Sequence, residues 1–222
     1  MTNDLLNYFE NNQKRMIFKW THYFEIYERF FSKYRGSDVH FLEIGVSNGG
    51  SMQMWKDYFG RKAKIFGADV NPLCKQFEEE QITIFIGDQG DKKFLSSLKR
   101  EMPRLDIIID DGGHTMEQQI NTFEVLYPHI SPTGLYVCED MHTSYWKRYG
   151  GGLRKKNSFV EYSKNFVDAI HAWHFENAGK NEISDFTKSA YALHFYDSVL
   201  VIEKRPMSRP VAREIGRRAI PL

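Results

Sequence analysis

Hydrophobic and polar residues alternate in blocks along most of the chain, and the blocks predict strands and helices in turn. Short apolar runs that end in Gly, Asp or Glu, typical of buried parallel strands, occur at VHFLEIG, AKIFGADV, ITIFIGD, LDIIID and LYVCED. Between them, apolar residues recur at helical spacing, as in TMEQQINTFEVLYPH, where Thr115 and Gln118 form a predicted capping box. The pattern indicates a sheet of parallel strands with helices on both faces.

The two ends of the chain depart from this alternation. Residues 13–34 predict one long helix with an aromatic face, formed by Met16, Trp20, Tyr23, Tyr27 and Phe30. The closing SAYALHFYDSVLVIEK predicts two strands joined tightly at Asp197–Ser198. We therefore expect an α/β fold with a Rossmann-like, doubly wound, mostly parallel seven-stranded sheet, an antiparallel C-terminal hairpin and an N-terminal helical cap.

The length of 222 residues fits a single domain. We divide it into a helical cap at 1–36, a Rossmann-like core at 37–205 that contains a lid at 141–157, and a basic tail at 206–222. The tail is interpreted as a solvated surface segment, since charge runs usually are.

Composition narrows the classes of function. The formal net charge of +1 argues against general nucleic-acid binding, which favours a strong basic excess. No apolar run approaches the roughly 18 to 20 residues of a membrane span. The first residues lack a basic-then-apolar signal pattern, and Cys74 and Cys138 have neither metal-type nor redox-type spacing. A cytoplasmic protein is the default expectation, and homo-oligomer formation is left open.

A glycine-rich turn, FLEIGVSNGGS, joins the first strand to the next helix. Its residues Glu43, Gly45, Ser47 and Gly49 suit a ligand that approaches the backbone closely, although such turns also occur without a ligand. Ser47 replaces the second glycine of the dinucleotide fingerprint, and Glu43 would repel a pyrophosphate. A cationic sulfonium cofactor could instead donate a hydrogen bond to Glu43, so the turn favours S-adenosylmethionine over NAD.

Carboxylates at the ends of other strands extend the cofactor site. Asp69 ends the second strand, where nucleoside-binding sheets place a carboxylate on ribose hydroxyls, although an Asx turn before Asn71 is the alternative. Asp88 ends the third strand and is predicted to face an adenine edge, with a helix cap as the alternative. Gln89 and Asp110 are assigned to the same cofactor site.

Three carboxylates and a histidine follow the fourth and fifth strands. Asp111 and His114 come from DDGGH, and Glu139 and Asp140 end LYVCED. Adjacent parallel strands lie about 4.8 Å apart, so the carboxylates can converge, and a cation would relieve their repulsion. An all-oxygen set suits Mg²⁺, and His114 suits a general base. The alternatives are a loop cap paired with a lysine or arginine for Glu139 and Asp140, and a surface position for His114.

The polar stretch 141–157 follows this cluster directly. Its aromatic residues Tyr145, Trp146 and Tyr149 precede three glycines, Gly150 to Gly152. Aromatic faces suit the apolar side of a sugar or ring, and glycines permit the backbone change of a hinge. The stretch predicts a mobile lid that contacts the acceptor, with a solvated surface loop as the alternative.

The motifs EIGVSNGGS, GADVNP, GDQGD, IIDDGGHTMEQQ and LYVCEDMHTSYW together resemble class I S-adenosylmethionine-dependent enzymes. The resemblance is to metal-dependent sugar O-methyltransferases of macrolide biosynthesis and to cephalosporin hydroxylase-like methyltransferases, over about residues 17–146. It implies Mg²⁺ held by Asp111, Glu139 and Asp140, with His114 as the base, and a hydroxylated acceptor such as a sugar or glycosylated natural product. An NAD-linked oxidoreductase and a noncatalytic cofactor-binding partner are the competing hypotheses.

Overall fold

The computed structural model describes residues 3–176 and 182–220. Within them, seven strands form one sheet in the order β3-β2-β1-β4-β5-β7-β6. The strands are β1 His40–Ile44, β2 Lys64–Asp69, β3 Ile82–Ile86, β4 Ile107–Asp110, β5 Leu135–Cys138, β6 Ala190–Tyr196 and β7 Val199–Lys204. β1 to β5 are parallel, and β7 is antiparallel to both β5 and β6. The predicted fold class is confirmed.

Six α-helices of the described residues cover the sheet. They are α1 Asp4–Glu10, α2 Tyr23–Phe31, α3 Gly50–Phe59, α4 Lys92–Glu101, α5 Met116–Leu126 and α6 Phe159–His171. One hydrophobic cluster packs α1, α2 and α3 against one face of the sheet, and a second packs α4, α5 and α6 against the other. β1, β4 and β5 are buried on both faces, which explains why apolar residues predominate along them without alternating with exposed polar ones. The capping box of Thr115 and Gln118 is present at the start of α5.

The predicted helix over residues 13–34 is wrong in its first half. α2 begins only at Tyr23, and residues 16–20, which we call the strap, have no helical structure. Side chains alternate along the strap, with Met16, Phe18 and Trp20 exposed and Lys19 buried. Such alternation is that of an extended chain. The physical reason is Lys19, whose ammonium meets buried carboxylates and outweighs the local helical pattern.

The arrangement of the sheet positions a site at the carboxyl ends of the parallel strands. The order reverses between β1 and β4, a switch point where ligands bind in open α/β sheets. The strap lies across this edge, close to the start of α3: a Cβ atom on Gly50 would meet the carbonyl oxygens of Arg15 and Met16 at 2.4 Å. No helix in the described part of the chain is both long and apolar enough to cross a bilayer.

Candidate active site

A cavity of about 380 Å³ opens at the carboxyl ends of β1, β2, β3 and β4. Of the residues predicted to bind the cofactor, those lining it are Gly45, Ser47, Asp69, Asp88 and Gln89. The strap supplies another wall of the same cavity, and His114, Asp111 and Asp140 line it as well. The structure thus brings the predicted cofactor end and the predicted metal end into one space. Glu43, Gly49 and Asp110 do not line this cavity.

The glycine turn is held in shape by Asp69. Asp69 Oδ2 accepts hydrogen bonds from the amides of Val46 and Ser47 at 2.9 and 3.0 Å, and Oδ1 accepts one from Asn71 at 2.8 Å. The last bond is the Asx turn that the sequence left as an alternative, so Asp69 shapes two loops while facing the cavity. Gly45 has φ +99°, and a Cβ there would lie 2.1 Å from the carbonyl oxygen of Asp111, so only glycine fits.

Asp110 lies apart from the cavity, and its predicted contact with a cofactor stays a prediction. It is fully buried, and Gln89 Nε2 donates to its Oδ1 at 2.6 Å. Burial raises the pKa of Asp110 to about 7. Gln89 Oε1 accepts from the amide of Gly113 at 3.0 Å, so Gln89 ties the loop after β3 to the DDGGH loop. Asp91, and not Asp88, caps α4.

Lys19 occupies the centre of a buried acidic cluster that the sequence did not reveal. Its Nζ lies 2.9 Å from Glu43 Oε1, 2.5 Å from Asp111 Oδ2 and 3.0 Å from Glu139 Oε2, and its side chain is 2% exposed. Burial alone would lower the pKa of Lys19, but the carboxylates outweigh burial and hold it well above its usual value. The signal in the sequence was a single lysine among apolar and aromatic residues, which indicates a buried charge. The helical spacing of the neighbouring residues favoured a helix instead.

The same group of bonds surrounds Glu43, whose predicted contact with the cofactor stays a prediction. Its carboxylate is fully buried and also accepts hydrogen bonds from Ser51 Oγ at 2.6 Å and Trp55 Nε1 at 3.2 Å. With Lys19 on the other oxygen, both oxygens of Glu43 are taken by the protein. Glu43 therefore anchors Lys19 and the start of α3 behind the cavity, and the structure does not bring it to the cofactor space.

Asp111, His114 and Asp140 offer ligand atoms that all lie within 4.8 Å of one another. His114 Nε2 is 3.5 Å from Asp140 Oδ2 and 3.9 Å from Asp111 Oδ1. This donor set fits a small divalent cation, since carboxylate oxygens are its preferred ligands. His114 adopts a left-handed backbone conformation with φ 56°, and its Nδ1 is buried without a hydrogen-bond partner among the described residues.

Glu139 lies outside this group. Its Oε2 accepts from Lys19, and its Oε1 accepts from the hydroxyl of Tyr27 at 2.5 Å. The sequence left open that Glu139 and Asp140 pair with a lysine or arginine. In this structure Glu139 pairs with Lys19, whereas Asp140 faces the cluster. Burial raises the pKa of Glu139 against the opposing effect of Lys19.

Burial also changes the pKa of His114. It lowers the pKa of His114 below the usual 6.5, although the nearby Asp140 carboxylate acts in the opposite direction. The imidazole is therefore neutral at neutral pH and able to accept a proton. His114 is only 18% exposed, so the surface position left open by the sequence does not hold.

The stretch 141–157 forms two short 3₁₀ turns beside the histidine, Met141–Tyr145 and Lys147–Tyr149. The ring centroid of Tyr149 lies 6.3 Å from that of His114, and that of Trp146 lies 4.6 Å from that of His142. Tyr145 and Trp146 are exposed. The predicted acceptor residues therefore flank the cluster without lining the cavity, and the proposed mobility of this stretch stays a prediction.

Comparisons with known proteins identify the class. No protein-family model matches the chain. It is 36% identical over 189 residues to demethylmacrocin O-methyltransferase of Streptomyces fradiae and 35% identical over 188 residues to mycinamicin VI 2''-O-methyltransferase of Micromonospora griseorubida, and both matches cover 80% of this chain. The matches cover 47% of each relative, so the chain spans about half the length of the curated relatives it matches.

Solved structures that match the chain include methyltransferases of this kind. MycE, a methyltransferase from the mycinamycin biosynthetic pathway in complex with Mg and SAH, superposes with a TM-score of 0.81 at 32% identity, over 92% of this chain and 54% of that chain. A second MycE structure, with Mg, SAH and Mycinamycin VI, gives 0.78 at 32% identity over 92% and 53%. The chain therefore has the Rossmann-like fold of class I methyltransferases. More particularly, it is a homologue of sugar O-methyltransferases from macrolide pathways.

Proposed function

We propose that the chain is a Mg²⁺-dependent O-methyltransferase that uses S-adenosylmethionine and acts on a sugar hydroxyl of a glycosylated natural product. The main observation in support is that the glycine turn and Asp69 line the same cavity as the cluster of Asp111, His114 and Asp140. The similarity to relatives that are named for sugar methylation supports the acceptor class.

Different residues would bind the cofactor and the metal, at two ends of the cavity. Gly45, Ser47 and Asp69 would hold the nucleoside end of S-adenosylmethionine, which supplies the methyl group. Asp111 and Asp140 would hold Mg²⁺, and Glu139 stays a predicted third ligand. Bound Mg²⁺ would lower the pKa of an acceptor hydroxyl and neutralise the carboxylates.

His114 then performs the acid–base step. Its Nε2 would accept the proton of the acceptor hydroxyl, while S-adenosylmethionine would supply the methyl group to that oxygen and leave as S-adenosylhomocysteine. The lowered pKa keeps His114 unprotonated and ready at neutral pH. The strap and the 141–157 stretch flank the reacting groups, which favours exclusion of water.

The proposal is tested with purified protein and a glycosylated macrolide that lacks the sugar methyl group, such as mycinamicin VI. We expect calorimetric binding of S-adenosylmethionine but not of NAD, and methyl transfer that chelation abolishes and Mg²⁺ restores. Asp111→Asn should remain inactive at high Mg²⁺. Transfer that survives exhaustive chelation would refute the metal mechanism. Cofactor binding without turnover on any glycosylated acceptor would favour a noncatalytic partner, and NAD binding would favour an oxidoreductase.

A further inference from the structure

The N-terminal cap reaches the candidate metal site through the hydroxyls of α2. Tyr23 donates to Asp140 Oδ1 at 2.8 Å, and Tyr27, one helical turn further, donates to Glu139 Oε1 at 2.5 Å. Both rings are fully buried in the aromatic core below the site. A buried ring needs no hydroxyl to pack, so phenylalanine would serve at both positions if packing were their only role.

The donors from the cap leave particular oxygens free. Tyr23 takes Oδ1 of Asp140, and the remaining Oδ2 is the atom that lies 3.5 Å from His114 Nε2. Lys19 takes Oδ2 of Asp111, and the remaining Oδ1 is the atom that lies 3.9 Å from the same nitrogen. In both carboxylates the oxygen that faces the cluster is the one that the cap does not hold.

We propose that Lys19 and Tyr23 are positioning residues for the metal: they orient Asp111 and Asp140 so that the free oxygens of these two carboxylates converge. The inference rests on the proposed function, because it assumes that a divalent cation binds there. Hydrogen bonds to metal-ligating carboxylates fix their orientation, and the loss of such a partner typically lowers metal affinity about 10- to 100-fold.

Tyr23→Phe gives the cleanest test, because it removes one hydroxyl and keeps the ring. Titration calorimetry with MgCl₂ on the full chain should show Mg²⁺ affinity about tenfold or more below that of the unaltered protein. Affinity for S-adenosylmethionine should be unchanged. Tyr58→Phe is the matched control, since the Tyr58 hydroxyl also donates to a carboxylate, Glu28 at 3.0 Å, but away from the cluster. It should leave Mg²⁺ affinity unchanged.

A second variant separates positioning from a general loss of packing. In an Asp140→Asn background, adding Tyr23→Phe should produce no further loss of Mg²⁺ affinity, because Tyr23 acts through Asp140. Unaltered Mg²⁺ affinity in Tyr23→Phe would overturn the positioning role and leave the proposed function intact. Absence of Mg²⁺ binding by the unaltered protein would instead overturn the proposed function, and this inference with it.

Discussion

Lys19 donates to Glu43 across 2.9 Å and thereby joins the strap to the end of β1. The bond uses a carboxylate that the sequence assigns to the cofactor, and that carboxylate lies behind the cavity wall that Lys19 helps to form. Glu43 and Lys19 neutralise each other in a place where neither reaches water. The strap is thus fixed by charge, with its apolar side chains left at the rim of the cavity.

Replacing this lysine should destabilise the fold in a pH-dependent way. Lys19→Met leaves three buried carboxylates uncompensated, and breaking a buried ion pair costs about 3–5 kcal/mol. Burial already raises the pKa values of Asp111 and Glu139, and the loss of Lys19 should raise them further. Above about pH 4, the folded state then binds more protons than the unfolded state, so stability falls as pH rises. Urea denaturation with a chelator present should show a deficit that is small at pH 4 and large at pH 7.

Lys204→Met is the matched control for that measurement. Lys204 is also buried, but its Nζ donates to the carbonyl oxygens of Tyr127 and Ile130 at 3.0 and 2.6 Å and to no carboxylate. Any change in its free energy of unfolding should therefore stay constant between pH 4 and 7. A deficit for Lys19→Met that is equally independent of pH would show that Lys19 does not compensate the carboxylates.

Asp69→Ala should weaken binding of S-adenosylmethionine by about 1–3 kcal/mol, the cost typical of losing hydrogen bonds to a charged group. The amides of Val46 and Ser47 lose their acceptor, and the cavity loses a carboxylate. Calorimetry measures the effect. Asp91→Ala is the control: Asp91 accepts a backbone amide at 2.7 Å as the cap of α4 and does not line the cavity. It should cost about 0.5–2 kcal/mol of stability without changing cofactor affinity. Equal cofactor affinity in both variants would remove the ribose assignment.

His114→Ala should lower turnover about 10²- to 10⁴-fold, as removal of a general base does, while cofactor and Mg²⁺ still bind. In the unaltered protein, the acidic limb of kcat should fall below pH 6.5, because burial lowers the pKa of His114. The variant should lack that limb. His194→Ala, which removes a histidine 2.8 Å from Glu203 on the hairpin, should leave both rate and profile unchanged. Turnover that survives in His114→Ala would assign the proton to another acceptor.

The sequence predicts the sheet well because each buried strand is mostly apolar and is followed within a few residues by Gly, Asp or Glu. It also predicts that Asp111 and Asp140 meet, since both follow adjacent parallel strands. It fails where a distant contact overrides a local pattern. Met16 and Trp20 fit a helical face, but Lys19 between them is drawn to Asp111, which lies 92 positions later. Asp110 and Asp111 are neighbours in sequence, yet one is buried with Gln89 and the other faces the cavity, because strand residues alternate.

Trp146→Ala should alter acceptor kinetics and leave cofactor affinity nearly unchanged. Trp146 is 40% exposed, packs on His142 and carries the guanidinium of Arg148 over its ring at 4.7 Å, so its free edge is available to an acceptor beside the cluster. A raised acceptor KM or a lowered kcat/KM is therefore expected in steady-state assays. Tyr191→Ala is the matched control, because Tyr191 is also exposed and also stacks with an arginine, Arg205 at 3.9 Å, but on β6. The control should have the acceptor kinetics of the unaltered protein. Identical acceptor kinetics in the two variants would mean that the 141–157 stretch is a surface loop and takes no part in acceptor binding.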